Sequence, residues 1–286
     1  MAQMNSLLKS KREDTEKFFG IQTCAMSVRG REKPSNEDFV FHRTTQMPGG
    51  HPIALLVVCD GMGGHQVGSF ASELATHIIT AELGKLFPYQ DYLKAHVEQP
   101  TIPRARKLQT WLTETVQEAN RLIFEYVNNQ PEISPSGTRL TLALMHYKTA
   151  YLAHVGDTRA YLWRAHQLTQ ITEDHSIAAE LGKSGILDTA EVLHHPFRKI
   201  LSRSIGTHPD VEPVIYTTDL QPGDKLMLCS DGLWAAFDDI HPLMDVLEND
   251  LHPSELCARL IDEARSQTNH DDISVALACV DPLSMN

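Results

Sequence analysis

Four short apolar runs, each edged by aspartate, constrain this chain more than any other feature. Ile53-Ala54-Leu55-Leu56-Val57-Val58-Cys59 stops on Asp60-Gly61, Tyr151-Leu152-Ala153-His154-Val155 on Gly156-Asp157, and Lys225-Leu226-Met227-Leu228-Cys229 on Ser230-Asp231-Gly232. The pair Asp271-Asp272 opens the fourth, Ile273-Ser274-Val275-Ala276-Leu277-Ala278-Cys279-Val280. Runs of this length, rich in Val, Ile and Leu and bounded by Gly and Asp, predict buried strands rather than helices. If the strand ends converge, several carboxylates meet at the rim of a core, where they repel one another unless a cation holds them. A hard divalent ion such as Mg²⁺ or Mn²⁺ suits an all-oxygen donor set. Any one Asp-Gly pair reads as an ordinary turn former, but four strand ends edged by aspartate exceed what turn chemistry requires.

Composition narrows the rest. At 286 residues the chain can bury a substantial core, as one large domain or two small ones. Its 37 acidic residues against 25 basic give a net charge of −12. Binding a phosphate backbone needs clustered Lys and Arg, so nucleic acid is disfavoured as a partner. Cys24, Cys59, Cys229, Cys257 and Cys279 are scattered without CxxC spacing, and three of them lie inside the apolar runs. They read as reduced small hydrophobes rather than disulfides or zinc ligands. Residues 1–17 are polar and lack the apolar core of a signal peptide, and no run approaches membrane-spanning length. A cytoplasmic monomer without membrane contact is the expectation.

Residues 1–18 read as a charged flexible arm and 19–286 as a single domain. Strands are expected near Gly20–Val28, Phe39–His42, Leu140–His146, Thr149–Val155 and Ala160–Trp163, the last three a meander that implies antiparallel pairing. After Gly63-Gly64 the period changes. Val67, Phe70, Leu74, Ile78, Leu83 and Leu86 recur at helical spacing, Trp111, Val116, Ala119, Ile123 and Val127 mark a second helix, and 88–106 is a loop between them. A mixed insert spans 174–203, and Ser254 is expected to cap a helix carrying Leu256, Leu260, Ile261 and Ala264. Long helices between groups of antiparallel strands give an α+β fold, packed sheets with helices outside. The chain has no Gly-x-Ser-x-Gly elbow, phosphate-cradling Gly-x-x-x-x-Gly-Lys loop or dinucleotide fingerprint, which removes serine-hydrolase, kinase and dehydrogenase readings.

Taken in order, Asn36-Glu37-Asp38, Asp60-Gly61-Met62-Gly63-Gly64, Ser136-Gly137-Thr138, Val155-Gly156-Asp157-Thr158-Arg159-Ala160, Ser230-Asp231-Gly232-Leu233-Trp234 and Asp271-Asp272-Ile273-Ser274 resemble the motifs of the protein phosphatase type 2C family, in its bacterial form. The resemblance implies a four-layer α-β-β-α sandwich of two antiparallel sheets flanked by helix pairs, with a site for two or three Mn²⁺ or Mg²⁺ ions at one end. It makes Asp60 the bridging carboxylate, puts the Gly61 carbonyl on the second ion, and lets Asp231 and Asp271 complete the first. Glu37 would hold water at the site, and Asp157 matches a ligand of a third, weaker ion. Asp60, Asp231 and Asp271 are the expected catalytic set.

Three departures from the family pattern stand out. The place of a phosphate-binding Arg is taken by Lys33, which attracts phosphate as a point charge without the bidentate fork; Arg31 is near enough in sequence to compete for the role. Met62 stands where some members have a His that is a candidate general acid, so the leaving-group proton would come from metal-bound water or another residue, for which His65 is one substitute. Asp272 replaces a common Asn. None of the fifteen histidines is assigned to metal, and His194-His195-Pro196-Phe197-Arg198 reads as a surface turn or as part of a flap touching substrate. The implied reaction is hydrolysis of phosphoserine or phosphothreonine in phosphoprotein substrates by direct attack of metal-activated water, whose pKa falls from 15.7 to roughly 7. An opposing Ser/Thr kinase is the implied partner. The alternative is a pseudophosphatase that binds phosphoproteins or a kinase as a regulator; the intact aspartate set argues against it, because a scaffold has no need to gather costly carboxylates.

Overall fold

The third strand shows why the apolar runs are continuous rather than alternating. In a computed structural model describing residues 19–47, 50–63, 66–87, 105–130, 136–267 and 270–281, strand β3 (Pro52–Met62) is buried from Pro52 through Gly61. Successive side chains of a strand point to opposite faces, and here both faces are covered. Ile53, Leu55, Val57 and Cys59 share one buried cluster with Ala71, Ala75 and Ile79 of helix α1 (Gln66–Leu83) and with Leu112, Val116 and Ile123 of α2 (Ala105–Asn128). Ala54, Leu56 and Val58 pack on Ala160, Leu226, Leu228, Ala276 and Ala278, which belong to a second sheet.

That second sheet has the order β1 (Ile21–Val28), β10 (Ile273–Val280), β9 (Lys225–Cys229), β6 (Arg159–Arg164), β7 (Gln167–Gln170). The first has the order β2 (Asp38–Gln46), β3, β4 (Gly137–His146), β5 (Thr149–Val155), β8 (Val214–Asp219). Every pairing is antiparallel. On the outer face of the second sheet, Met227, Cys229, Val275 and Leu277 meet Leu243 and Leu247 of α6 (His241–Leu247) and Leu256, Cys257, Leu260 and Ile261 of α7 (Pro253–Ser266). The four layers are thus helix pair, sheet, sheet, helix pair, as the sequence implied.

Several boundaries differ from expectation. Strand β2 runs on to Gln46, paired in register with β3 throughout. The cap of α7 is His252, whose ring accepts from the Ser254 N–H while Pro253 takes the first helical position, a place where its missing N–H costs nothing. Ser254 is therefore inside the helix. The insert after β7 holds α3 (Ile177–Lys183), α4 (Thr189–His194) and a 3₁₀ turn at Pro196–Lys199. Asp188 and Glu191 form a reciprocal capping box on α4. Antiparallel bridges Ser176↔Leu201 and Thr138↔Ile205 tie the insert's ends to each other and to β4. The arm at 1–18, His65, and the loop from 88 to 104 lie outside the described residues.

Candidate metal centre

Register places the first charges. Asp60, two residues before the end of β3, stands opposite Asp38 on β2 and Arg139 on β4. Asp157 follows β5 on a turn that needs Gly156 at φ 109°. Asp231 opens the short helix α5 (Asp231–Trp234) where β9 ends, and Asp271-Asp272 precede β10. Strands from both sheets therefore deliver their terminal aspartates to one edge of the sandwich.

Backbone packing holds this edge together. The Asp272 side chain is fully buried, and its Oδ1 and Oδ2 accept from the Gly30 and Glu37 N–H groups, both at 2.8 Å. Asp272 thus pins the loop carrying Glu37 against β10, a positioning role that needs two acceptors. Gly61 donates to the Glu37 carbonyl at 3.1 Å, and a Cβ on Gly61 would sit 2.3 Å from the Gly68 carbonyl oxygen, so only glycine fits between these segments. The Trp234 indole donates to the Asp157 carbonyl at 3.0 Å and lies 3.4 Å under the Arg159 guanidinium, which grips Asp174 with two hydrogen bonds. The Asp157 turn and the Asp231 helix are locked to one another through that ring.

Two cations stand among the acids. Arg139 donates from Nη1 to Asp60 Oδ2 at 2.6 Å and to Asp231 Oδ2 at 3.2 Å, and its Nε lies 3.1 Å from Asp157 Oδ1. Lys33 Nζ is 2.5 Å from Asp271 Oδ1, 3.3 Å from Asp272 Oδ2 and 3.4 Å from Glu37 Oε2. Arg31, the competing phosphate candidate, is instead turned away: its guanidinium donates to the Arg265 carbonyl at the end of α7. Of the two phosphate candidates, Lys33 is the one that lies among the sequence-predicted carboxylates. Neither Arg139 nor the structural use of Asp272 was anticipated. The signal for Arg139 was a single Arg beside a mostly apolar run, whose burial requires a charged partner.

Even with these cations the acids are under-compensated. Burial pushes Asp60 well above the carboxylate range, Arg139 pulls it back in part, and Asp38, Asp231 and Asp157 push it up again. Burial raises Asp38 to about 8 against the hydrogen bonds of Ser274 and Ser230, and raises Asp157 to about 7 against Arg139. Asp271 is the exception: burial would raise it, but the Lys33 ammonium outweighs burial and holds it low. Lys33 is itself raised, since its three carboxylate neighbours overcome the opposing effect of burial.

Among the described residues no three His, Cys, Asp or Glu side chains stand grouped around a single point as a ready ligand set; the carboxylates are arranged around Arg139 and Lys33. They nonetheless fit a hard divalent cation. Glu37 Oε1 and Asp38 Oδ2 are buried without a hydrogen-bond donor, and the local donor set is entirely oxygen. Cys59 and Cys229, in the strands that end here, are pushed up to about 12 by burial and are not thiolates.

An acidic, oxygen-lined edge between two antiparallel sheets, with a lysine among its carboxylates, is compatible with a metal-dependent hydrolase of phosphoric esters. The profile of the family described as "Protein phosphatase 2C" matches residues 23–273, and the chain belongs to that family. Serine/threonine phosphatase stp of Listeria monocytogenes is 33% identical over 251 residues, covering 87% of this chain and 92% of that protein. The S. agalactiae serine/threonine phosphatase structure superposes with a TM-score of 0.79 at 26% identity, over 92% of this chain and all of that one. The catalytic domain of the phosphatase PstP, solved in complex with 2 manganese ions, gives a TM-score of 0.73 at 29% identity, over 92% and 99%.

Proposed function

We propose that the chain is a metal-dependent protein serine/threonine phosphatase in which Asp60, Gly61, Asp231, Asp271 and Glu37 hold two ions and Lys33 receives the phosphate. The observation that carries this reading is the delivery of Asp60, Asp231, Asp271 and Glu37 to one edge by strands of both sheets. The two-manganese PstP complex supports Mn²⁺ as the cofactor, and Mg²⁺ shares its preference for oxygen ligands. When bound, such ions polarise the phosphoryl group and lower the pKa of water.

The chain's own residues do the rest. The Lys33 side chain is 28% exposed and keeps its charge, so its ammonium, held by Asp271, can turn a donor toward an arriving phosphate. Arg139 contributes a fixed positive charge among Asp60, Asp157 and Asp231. Buried, protonated Cys59 and Cys229 leave water as the nucleophile. Five unpaired cysteines suit a reducing, cytoplasmic compartment, and phosphoprotein substrates imply an opposing Ser/Thr kinase. A four-residue edge strand β7 with exposed Gln167, Thr169 and Gln170 suits a monomer. Incubation with phosphothreonine, phosphoserine and phosphotyrosine peptides in Mn²⁺, Mg²⁺ or EDTA tests the reading. Turnover of the first two alone, abolished by EDTA, is expected; metal-independent or phosphotyrosine-selective turnover contradicts it.

A further inference from the structure

Arg139 is not a side chain that happens to lie near the centre; it fills part of it. We propose that its guanidinium is a permanent internal cation that occupies the place beside Asp157, so that the centre accepts two ions and Asp157 ligates none. This rests on the two-ion reading above and replaces the expectation that Asp157 supports a third.

Three observations carry it. First, one guanidinium spans three carboxylates, contacting Asp60, Asp231 and Asp157 at 2.6, 3.2 and 3.1 Å. It hydrogen-bonds the Oδ2 atoms of Asp60 and Asp231, leaving each a second oxygen, whereas the Asp157 oxygen that lacks a hydrogen-bond donor is the one it faces. Second, the base of its side chain is held in place. Its Cα is fixed opposite Asp60 in the β3–β4 register, and its stem lies against the Gly156 turn, where an added Cβ would come within 2.7 Å of the Arg139 Cβ. Third, unlike a lysine or histidine it cannot make way by losing its proton, because guanidinium stays charged throughout the accessible pH range. A divalent ion at Asp157 would therefore sit in contact with a fixed like charge in a poorly solvated site.

Manganese titration of the metal-stripped full chain tests this, with stoichiometry read by calorimetry and by the loss of the free Mn²⁺ resonance signal, so that no activity is needed. The natural chain is expected to saturate at two ions, Arg139→Ala at three, and Arg139→Ala with Asp157→Asn at two again. Three ions on the natural chain, or two on folded Arg139→Ala, overturn the proposal while leaving the two-ion reading intact. A folded natural chain that binds no Mn²⁺ overturns both. Should Arg139→Ala fail to fold, Asp157→Asn in the natural background decides: an unchanged count of two, with dissociation constants within twofold, is expected, and the loss of an ion or a tenfold weakening refutes it.

Discussion

Replacing Gly232 with alanine should dismantle the centre from behind, without touching a ligand. A Cβ built there lies 1.8 Å from the Asp272 carbonyl oxygen and 2.8 Å from its carbonyl carbon. Both atoms belong to backbone that β10 pairing holds in place, with Ile273 opposite Val28. A real contact needs at least 3.0 Å, so α5 and the Asp271–Asp272 segment must separate by 1.2 Å or more, the difference between 3.0 and 1.8. Asp231 precedes Gly232 and Asp271 precedes Asp272, so the separation opens the distance between two proposed ligands of the same ion. Forcing a methyl against rigid backbone costs about 3 kcal/mol, the upper end for overpacking. At about 2–4 °C per kcal/mol this lowers Tm by roughly 6–12 °C, and a misplacement near 1 Å lowers turnover by about 10²-fold. Thermal melts and phosphopeptide kinetics in saturating Mn²⁺ measure both. Gly84→Ala is the control, since a Cβ there meets nothing within 4 Å. Gly232→Ala matching Gly84→Ala in Tm and kcat would refute the close-packing argument.

Other perturbations probe separate links. Lys33→Ala should raise KM for phosphopeptide at least tenfold, and Lys33→Arg should restore binding through a bidentate fork; initial-rate kinetics decide, and an unchanged KM in Lys33→Ala would remove it from phosphate recognition. Metal-free protein should lose stability as pH rises from 6.5 to 8, because Asp38, raised to about 8, holds a proton in the folded state that the unfolded carboxyl has already lost. The buried histidines act oppositely, but only below about 6.5, where their unfolded forms take up protons. Melts in EDTA should show this slope, to which the raised Asp60 and Asp157 also contribute, and Asp38→Asn should reduce it. Trp234→Phe removes the donor to the Asp157 carbonyl while leaving an aromatic ring near Arg159, and should cost about 1–2 kcal/mol in chemical denaturation.

The strand ends were legible because burial on both faces leaves a distinctive record: ten consecutive buried residues in β3 include one charged position, Asp60, although the strand continues past it to Met62 rather than turning there. Asp60, Asp157, Asp231 and Asp271 follow from that pattern, and Glu37 and Lys33 from the ordered motifs. Arg139 was not legible, since its meaning depends on cross-strand register: only pairing β3 with β4 puts it opposite Asp60. Asp272 could be seen as a departure but not interpreted, because its partners at Gly30 and Glu37 are more than 230 positions away in sequence. Arg31 and Lys33 are two residues apart, and only the loop's path separates one that reaches Arg265 from one that reaches Asp271. At α7, Ser254 and His252 are both able to cap, and Pro253 decides between them by fixing the first helical residue.

Hydrolysis of a phosphothreonine peptide by the natural chain, Asp60→Asn and Asp231→Asn, each reconstituted with Mn²⁺, tests the central claim most directly. Turnover by the natural chain, lost by at least 10³-fold in both variants while their circular dichroism is unchanged, is the predicted result. A folded natural chain that binds phosphopeptide without turning it over, or variants that retain turnover, would contradict the account.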